Sequence, residues 1–177
     1  MQETAHNENG ELPFAAMPGR YQEGTAMPNA VVMTGYGPPE VLKWARVPLP
    51  ELGSGQIRIK VKAAGIGPTD LDLRAGHLKD IPLPPNAVLG FEAAGTVDAV
   101  GPGVTGTSAG DAVAALLFSL GGYAEYALAS IWTRKPDPVS WIDAAALPSS
   151  AEAAAGGSGL GTGAGHGRDL AAVSAMA

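Results

Sequence analysis

Apolar and polar positions alternate with a period of two in several short segments of the chain. In residues 56–62, Ile57, Ile59 and Val61 alternate with Gln56, Arg58, Lys60 and Lys62, the pattern of a strand with one face in water. Residues 30–34 and 41–47 are two more strands by their β-branched and aromatic content, with the turn Gly35-Tyr-Gly-Pro-Pro39 between them. Val88 and Leu89 enter a strand, and Thr96, Val97, Ala99 and Val100 form a second short apolar run. Gly90, Gly95, Gly101 and Gly103 remove side chains from this stretch, as bulges, tight turns or close backbone approaches require. Residues 112–118 form a buried strand. Residues 121–129 form another, with Tyr123 and Tyr126 on opposite faces. Many short strands between Gly/Pro turns predict a mainly β domain with short helices, built as a partly open barrel.

The helical signals are few. Pro68 or Thr69 can open a short helix, with Asp70 and Asp72 near its positive end. Ser140 with Asp143 predicts a capping box over residues 144–147, and Ser149 with Glu152 predicts a second. Residues 1–28 hold four glutamates and three prolines without a helical or strand period. They are expected to be a flexible tail, or else a lid with Leu12, Pro13 and Phe14 as its apolar anchor. Residues 29–153 form the expected domain, and residues 154–177 a Gly/Ala-rich tail.

Composition narrows the function classes. The chain has 177 residues, 46% hydrophobic and 16% charged, enough for one domain with a real core. Its net charge is −6 and it shows no basic patch, which argues against nucleic acid or an anionic membrane as partner. It has no Cys, hence no disulfide and no thiolate metal ligand. No apolar run approaches the roughly 18–20 residues of a membrane span. The N-terminus lacks a secretory pattern. A cytoplasmic protein is expected.

The order Gly67-Pro-Thr-Asp70, Gly90-Phe-Glu92, Gly101-Pro-Gly103 and Gly121-Gly-Tyr-Ala-Glu-Tyr126 resembles the GroES-like catalytic domain of the medium-chain dehydrogenase/reductase superfamily, in its zinc-independent quinone or enoyl reductase branch. The resemblance covers about residues 30–153. Where zinc-dependent members carry a ligand Cys this chain has Gly67, and where they carry a ligand His it has Phe91, so no metal is expected. Many zinc-independent members place Asn where this chain has Gly67. The resemblance also implies NADPH and a Rossmann domain. The residues after Ala153 are too few for such a domain, so a truncated reductase-like chain with no cofactor site of its own is expected. Gly159-Leu-Gly-Thr-Gly-Ala164 loosely matches a dinucleotide fingerprint but follows no strand-like segment.

Four side chains are catalytic candidates. Glu92 is a buried general acid or a structural hydrogen-bond acceptor. Thr69 matches a proton-relaying hydroxyl of the family or simply caps a helix. Tyr123 donates to an oxyanion or packs in the core. His77 is an acid–base group or a solvated loop residue. Asp70, Phe91, Phe118 and Tyr126 are candidates to line a substrate site. Two function classes follow. One is a domain binding a small carbonyl, quinone or enoyl substrate, working by cofactor-free acid–base chemistry or with a separate nucleotide-binding chain. The other is a non-catalytic binding or assembly module, possible as a homodimer.

Overall fold

A computed structural model describes residues 26–156. The expected tails, with the Leu12–Phe14 anchor and the Gly159–Ala164 stretch, lie outside the described residues, apart from Ala26–Pro28 and Ala154–Gly156.

Eight strands form two sheets. In the three-stranded sheet, β1 (Asn29–Met33) lies between β2 (Leu42–Arg46) and β4 (Ala87–Val88), antiparallel to both. The five-stranded sheet has the order β7 (Tyr126–Ala129), β3 (Ile57–Ala64), β5 (Glu92–Val100), β6 (Ala112–Leu116), β8 (Ile131–Arg134), with every pairing antiparallel. The two do not close into a barrel. They meet where β1 runs beside residues 123–125: Val31 N donates to Tyr123 O at 2.8 Å and Glu125 N to Asn29 O at 2.9 Å.

The alternation of Ile57 and Ile59 against Arg58 and Lys60 is realised in β3. Both isoleucines are fully buried against Val97, Val113 and Leu117, each contributing about 2 kcal/mol of apolar burial. Two bulges bend β3 against β5. Gly95 sits in the middle of β5 because a Cβ there would overlap the Lys60 carbonyl oxygen of the neighbouring strand. A second core joins Ala30, Val32, Ala45 and Val47. A third gathers Met33, Leu73 and Leu89 with Phe91, Leu120 and Tyr123, and ties α1 (Pro68–Ala75) to the sheets.

Two helices follow the sheet. Ser140 caps α2 (Trp141–Ala145) by accepting from Asp143 N at 3.1 Å, as the sequence predicts, and α2 packs on β3 and β5. Just before it, Lys135 is buried, donating to the carbonyls of Pro136 at 2.9 Å and Val139 at 2.6 Å beneath the Trp141 ring. The second predicted capping box is not formed. The next helix, α3 (Pro148–Gly156), already includes Ser149, and its first-turn amide is held by Glu92 instead of Glu152. The predicted strand over residues 121–129 is confined to β7. Gly121 has φ +106°, Leu120 has φ +64°, and only Ala124 bridges to β1.

Candidate functional site

Register places the candidate residues. Ala64 pairs with Ala93 and Glu92 with Leu116, so the loop after β3, the start of β5 and the residues after β6 converge at one end of the five-stranded sheet. Ile66 and Phe118 lie there with their side chains exposed, at 74% and 64%.

Two carboxylates stitch this end together. Asp70 is the third residue of α1 and is 4% exposed. One of its oxygens accepts from Gly67 N at 2.9 Å and the other from Gly90 N at 3.0 Å. It therefore caps the helix and fastens it to the turn after β4. Glu92 is 8% exposed and accepts from Ser149 N at 2.8 Å, at the positive end of α3. Its side chain lies flat on Gly65, where any Cβ would overlap the carboxylate. Both acids are thus engaged with backbone N–H groups.

Tyr123 differs from them. Its backbone is pinned on both sides, with N donating to Leu89 O at 3.0 Å and O accepting from Val31 N. Its ring packs with Phe91, Leu89 and Leu120. Its hydroxyl is buried and has no hydrogen-bond partner within 3.5 Å among the described residues. Nearby Asp70 accepts from Gly67 and Gly90 with one oxygen each, and its remaining lone pairs leave it a weak partner for the phenol beyond 3.5 Å. Burial first, then the negative charge of Asp70 and a hydrogen-bond interaction with its carboxylate, and last the charge of Glu92, push the phenol well above its ordinary ionisation range. The group is a neutral O–H donor at any physiological pH, next to two carboxylates.

The structure brings Asp70, Phe91, Glu92 and Tyr123 to one place. Thr69 is near them in sequence but exposed at the second position of α1, and the cap assigned to it belongs to Asp70. His77 lies beyond the C-terminus of α1 in an exposed pair with Asp72, 3.0 Å apart. Tyr126 lines a separate apolar groove. Gly65 and the Ser149 amide complete the site, and neither is apparent from sequence. The signal for Gly65 is the spacing Gly65-Ile-Gly67-Pro68 between a strand and a helix. Among the described residues, no three His, Cys, Asp or Glu side chains come together as metal ligands. No helix among them is long and apolar enough to cross a membrane.

Residues 53–133 match the alcohol dehydrogenase GroES-like domain. The chain is 34% identical over 144 residues to the mouse synaptic vesicle membrane protein VAT-1 homolog-like, covering 80% of this chain and 34% of that protein. It is 39% identical over 110 residues to the quinone oxidoreductase of Lama guanicoe, covering 60% of this chain and 32% of that protein. The chain thus spans about a third of the length of these curated relatives. Among solved structures, the human VAT-1 homolog-like protein superposes with a TM-score of 0.69 at 34% identity, covering 73% of this chain and 42% of that one. A mycobacterial protein solved in complex with NADPH gives 0.61 at 35% identity, covering 72% and 40%. With strand order, glycine corner and these likenesses in agreement, the chain belongs to the medium-chain dehydrogenase/reductase superfamily through its GroES-like, quinone-oxidoreductase-like domain.

Proposed function

We propose that this domain is the substrate-holding half of a zinc-independent reductase acting on a small carbonyl, quinone or enoyl compound. The observation that carries the reading is the buried, unpartnered Tyr123 hydroxyl. An orphaned buried donor costs about 1–3 kcal/mol, which a substrate oxygen accepting from it would recover. Phe91 and Leu89 supply the apolar wall. Asp70 and Glu92 position the surrounding backbone, and burial together with their charges keeps the phenol protonated. The Gly67 and Phe91 positions offer no ligand to a metal, which supports the zinc-free assignment.

NADPH, when bound, supplies the hydride. The mycobacterial relative solved with it supports that choice. The glycine turn of the described domain does not fit its pyrophosphate. Gly65-Ile-Gly67 joins β3 to α1, but the Asp70 carboxylate occupies the Gly67 amide and the Glu92 carboxylate covers Gly65. A phosphate there would meet two negative charges. The cofactor is therefore assigned to a separate nucleotide-binding unit, packed against the sheet end that exposes Ile66 and Phe118.

The test is a titration of 2-cyclohexen-1-one, a small enone, into the full chain, followed by amide chemical shifts. Shifts concentrated at Leu89, Phe91 and Tyr123, with affinity about tenfold weaker in Tyr123→Phe, are expected. An absence of binding at 10 mM enone, about the level of a millimolar-range ligand, would remove the substrate-holding role.

A further inference from the structure

A concavity of about 230 Å³ lies between the two sheets, beside the cluster that holds Tyr123. Its walls are almost wholly apolar: Pro48, Pro50, Pro84, Val88, Tyr126 and Leu128. A proline- and tyrosine-lined groove accepts an extended, proline-containing segment well, since such a segment loses little conformational freedom on docking. We propose that this groove is the docking site of the chain's own N-terminal segment, with Leu12, Pro13 and Phe14 seated in it.

The course of the chain argues for that occupant. Val47 N donates to Pro28 O at 2.9 Å, Leu49 N to Ala26 O at 2.8 Å, and Arg46 Nε to Met27 O at 3.0 Å. Residues 26–28 therefore run along residues 46–49, and Ala26 sits opposite Leu49, between the two groove prolines. The segment emerges at the groove's rim. Eleven residues, 15–25, separate Phe14 from Ala26. Fully extended they reach about 36 Å. Such a tether holds the segment at an effective concentration on the order of millimolar, so a weak contact within the chain outcompetes the same contact between copies at micromolar protein. Leu12-Pro13-Phe14 is also a compact apolar cluster in an otherwise glutamate-rich stretch, and Pro13 biases Leu12 toward extended backbone. Leu120 lines the groove and also packs in the cluster that holds Tyr123, so an occupied groove shares a wall with the candidate site.

The experiment is NMR on the full chain, which has only three phenylalanines. Nuclear Overhauser contacts from the Phe14 ring to the methyls of Val47, Val88 and Leu128 are expected in dilute, uniformly labelled protein. They should vanish in Leu128→Glu while the Val97 and Val113 methyls of the main core keep their shifts. If that variant loses its fold, Phe14→Ser serves instead and should shift the same three groove methyls. Absence of Phe14 contacts to the groove in the unmodified chain overturns the proposal. So does their appearance in an isotope-filtered experiment on mixed labelled and unlabelled protein, because the occupant is then a second copy.

Discussion

The carboxylates of Asp70 and Glu92 and the hydroxyl of Tyr123 lie in one neighbourhood and are treated in opposite ways. The acids are engaged: Asp70 accepts from two backbone amides and Glu92 from the first turn of α3. The phenol is buried in the same region with no partner within 3.5 Å among the described residues. Engaged groups of this kind hold a backbone in place, whereas an orphaned donor carries a cost that a bound acceptor relieves. The contrast separates residues that hold the backbone from the residue proposed to meet a ligand.

Breaking the engaged side should have the largest effect. Asp70→Ala leaves the Gly67 and Gly90 amides unpaired and should cost about 3 kcal/mol, lowering Tm by about 10 °C in a thermal melt. Gly65→Ala should cost about 2 kcal/mol by evicting the Glu92 carboxylate from its place on the glycine. In a Glu92→Ala background the same substitution should cost almost nothing. Additive losses in that double-mutant cycle would show that Glu92 does not act through Gly65.

Tyr123→Phe should do the reverse, leaving Tm within about 2 °C while weakening enone binding about tenfold. The phenol also sets a pH dependence. Its folded pKa lies above its ordinary value of 10.0, so the neutral form is favoured by folding. That contribution is complete below pH 10.0 and is lost as pH rises from there toward the folded pKa. Ultraviolet titration should find one of the four tyrosines ionising late, and Tyr123→Phe should remove it.

The smallest effect belongs to the surface. Asn29 donates to Glu125 through its backbone N at 2.8 Å and its amide at 3.3 Å, holding the carboxyl below its ordinary 4.5. This support is present above pH 4.5 and fades as pH falls through the folded pKa. Glu125→Gln should flatten the acid limb of an unfolding series slightly and leave the neutral region unchanged.

Much of this was legible in the residues, for identifiable reasons. The burial of Ile57 and Ile59 follows from strict alternation, and the Ser140 cap from a local hydrogen bond three residues long. The Gly90-Phe-Glu92 corner was recognisable because glycines there leave room for neighbouring backbone. The losses were mostly non-local. Glu92 reaches Ser149 across 57 positions, so the cap of α3 was misassigned to Glu152. Asp70 reaches Gly90 across 20, a fastening that no local pattern shows. The period-two reading of residues 121–129 set Tyr123 and Tyr126 on opposite faces of one strand. The positive φ of Leu120 and Gly121 instead puts Tyr123 in a turn and leaves Tyr126 at the start of β7. The partly open barrel expected from many short strands between Gly/Pro turns is realised as two sheets that meet without closing.

The buried Lys135 has a consequence for labelling chemistry. Four of the five lysines, at positions 43, 60, 62 and 79, are at least partly open to reagents from solution. The fifth amine is held by two carbonyls under the Trp141 ring and must leave that shelter before it can be acylated. Its modification rate therefore reports how often the segment leading into α2 opens, in the manner of a slowly exchanging amide. With no cysteine in the chain to compete for reagent, mass spectrometry of amine-labelled protein would read that opening directly from one residue.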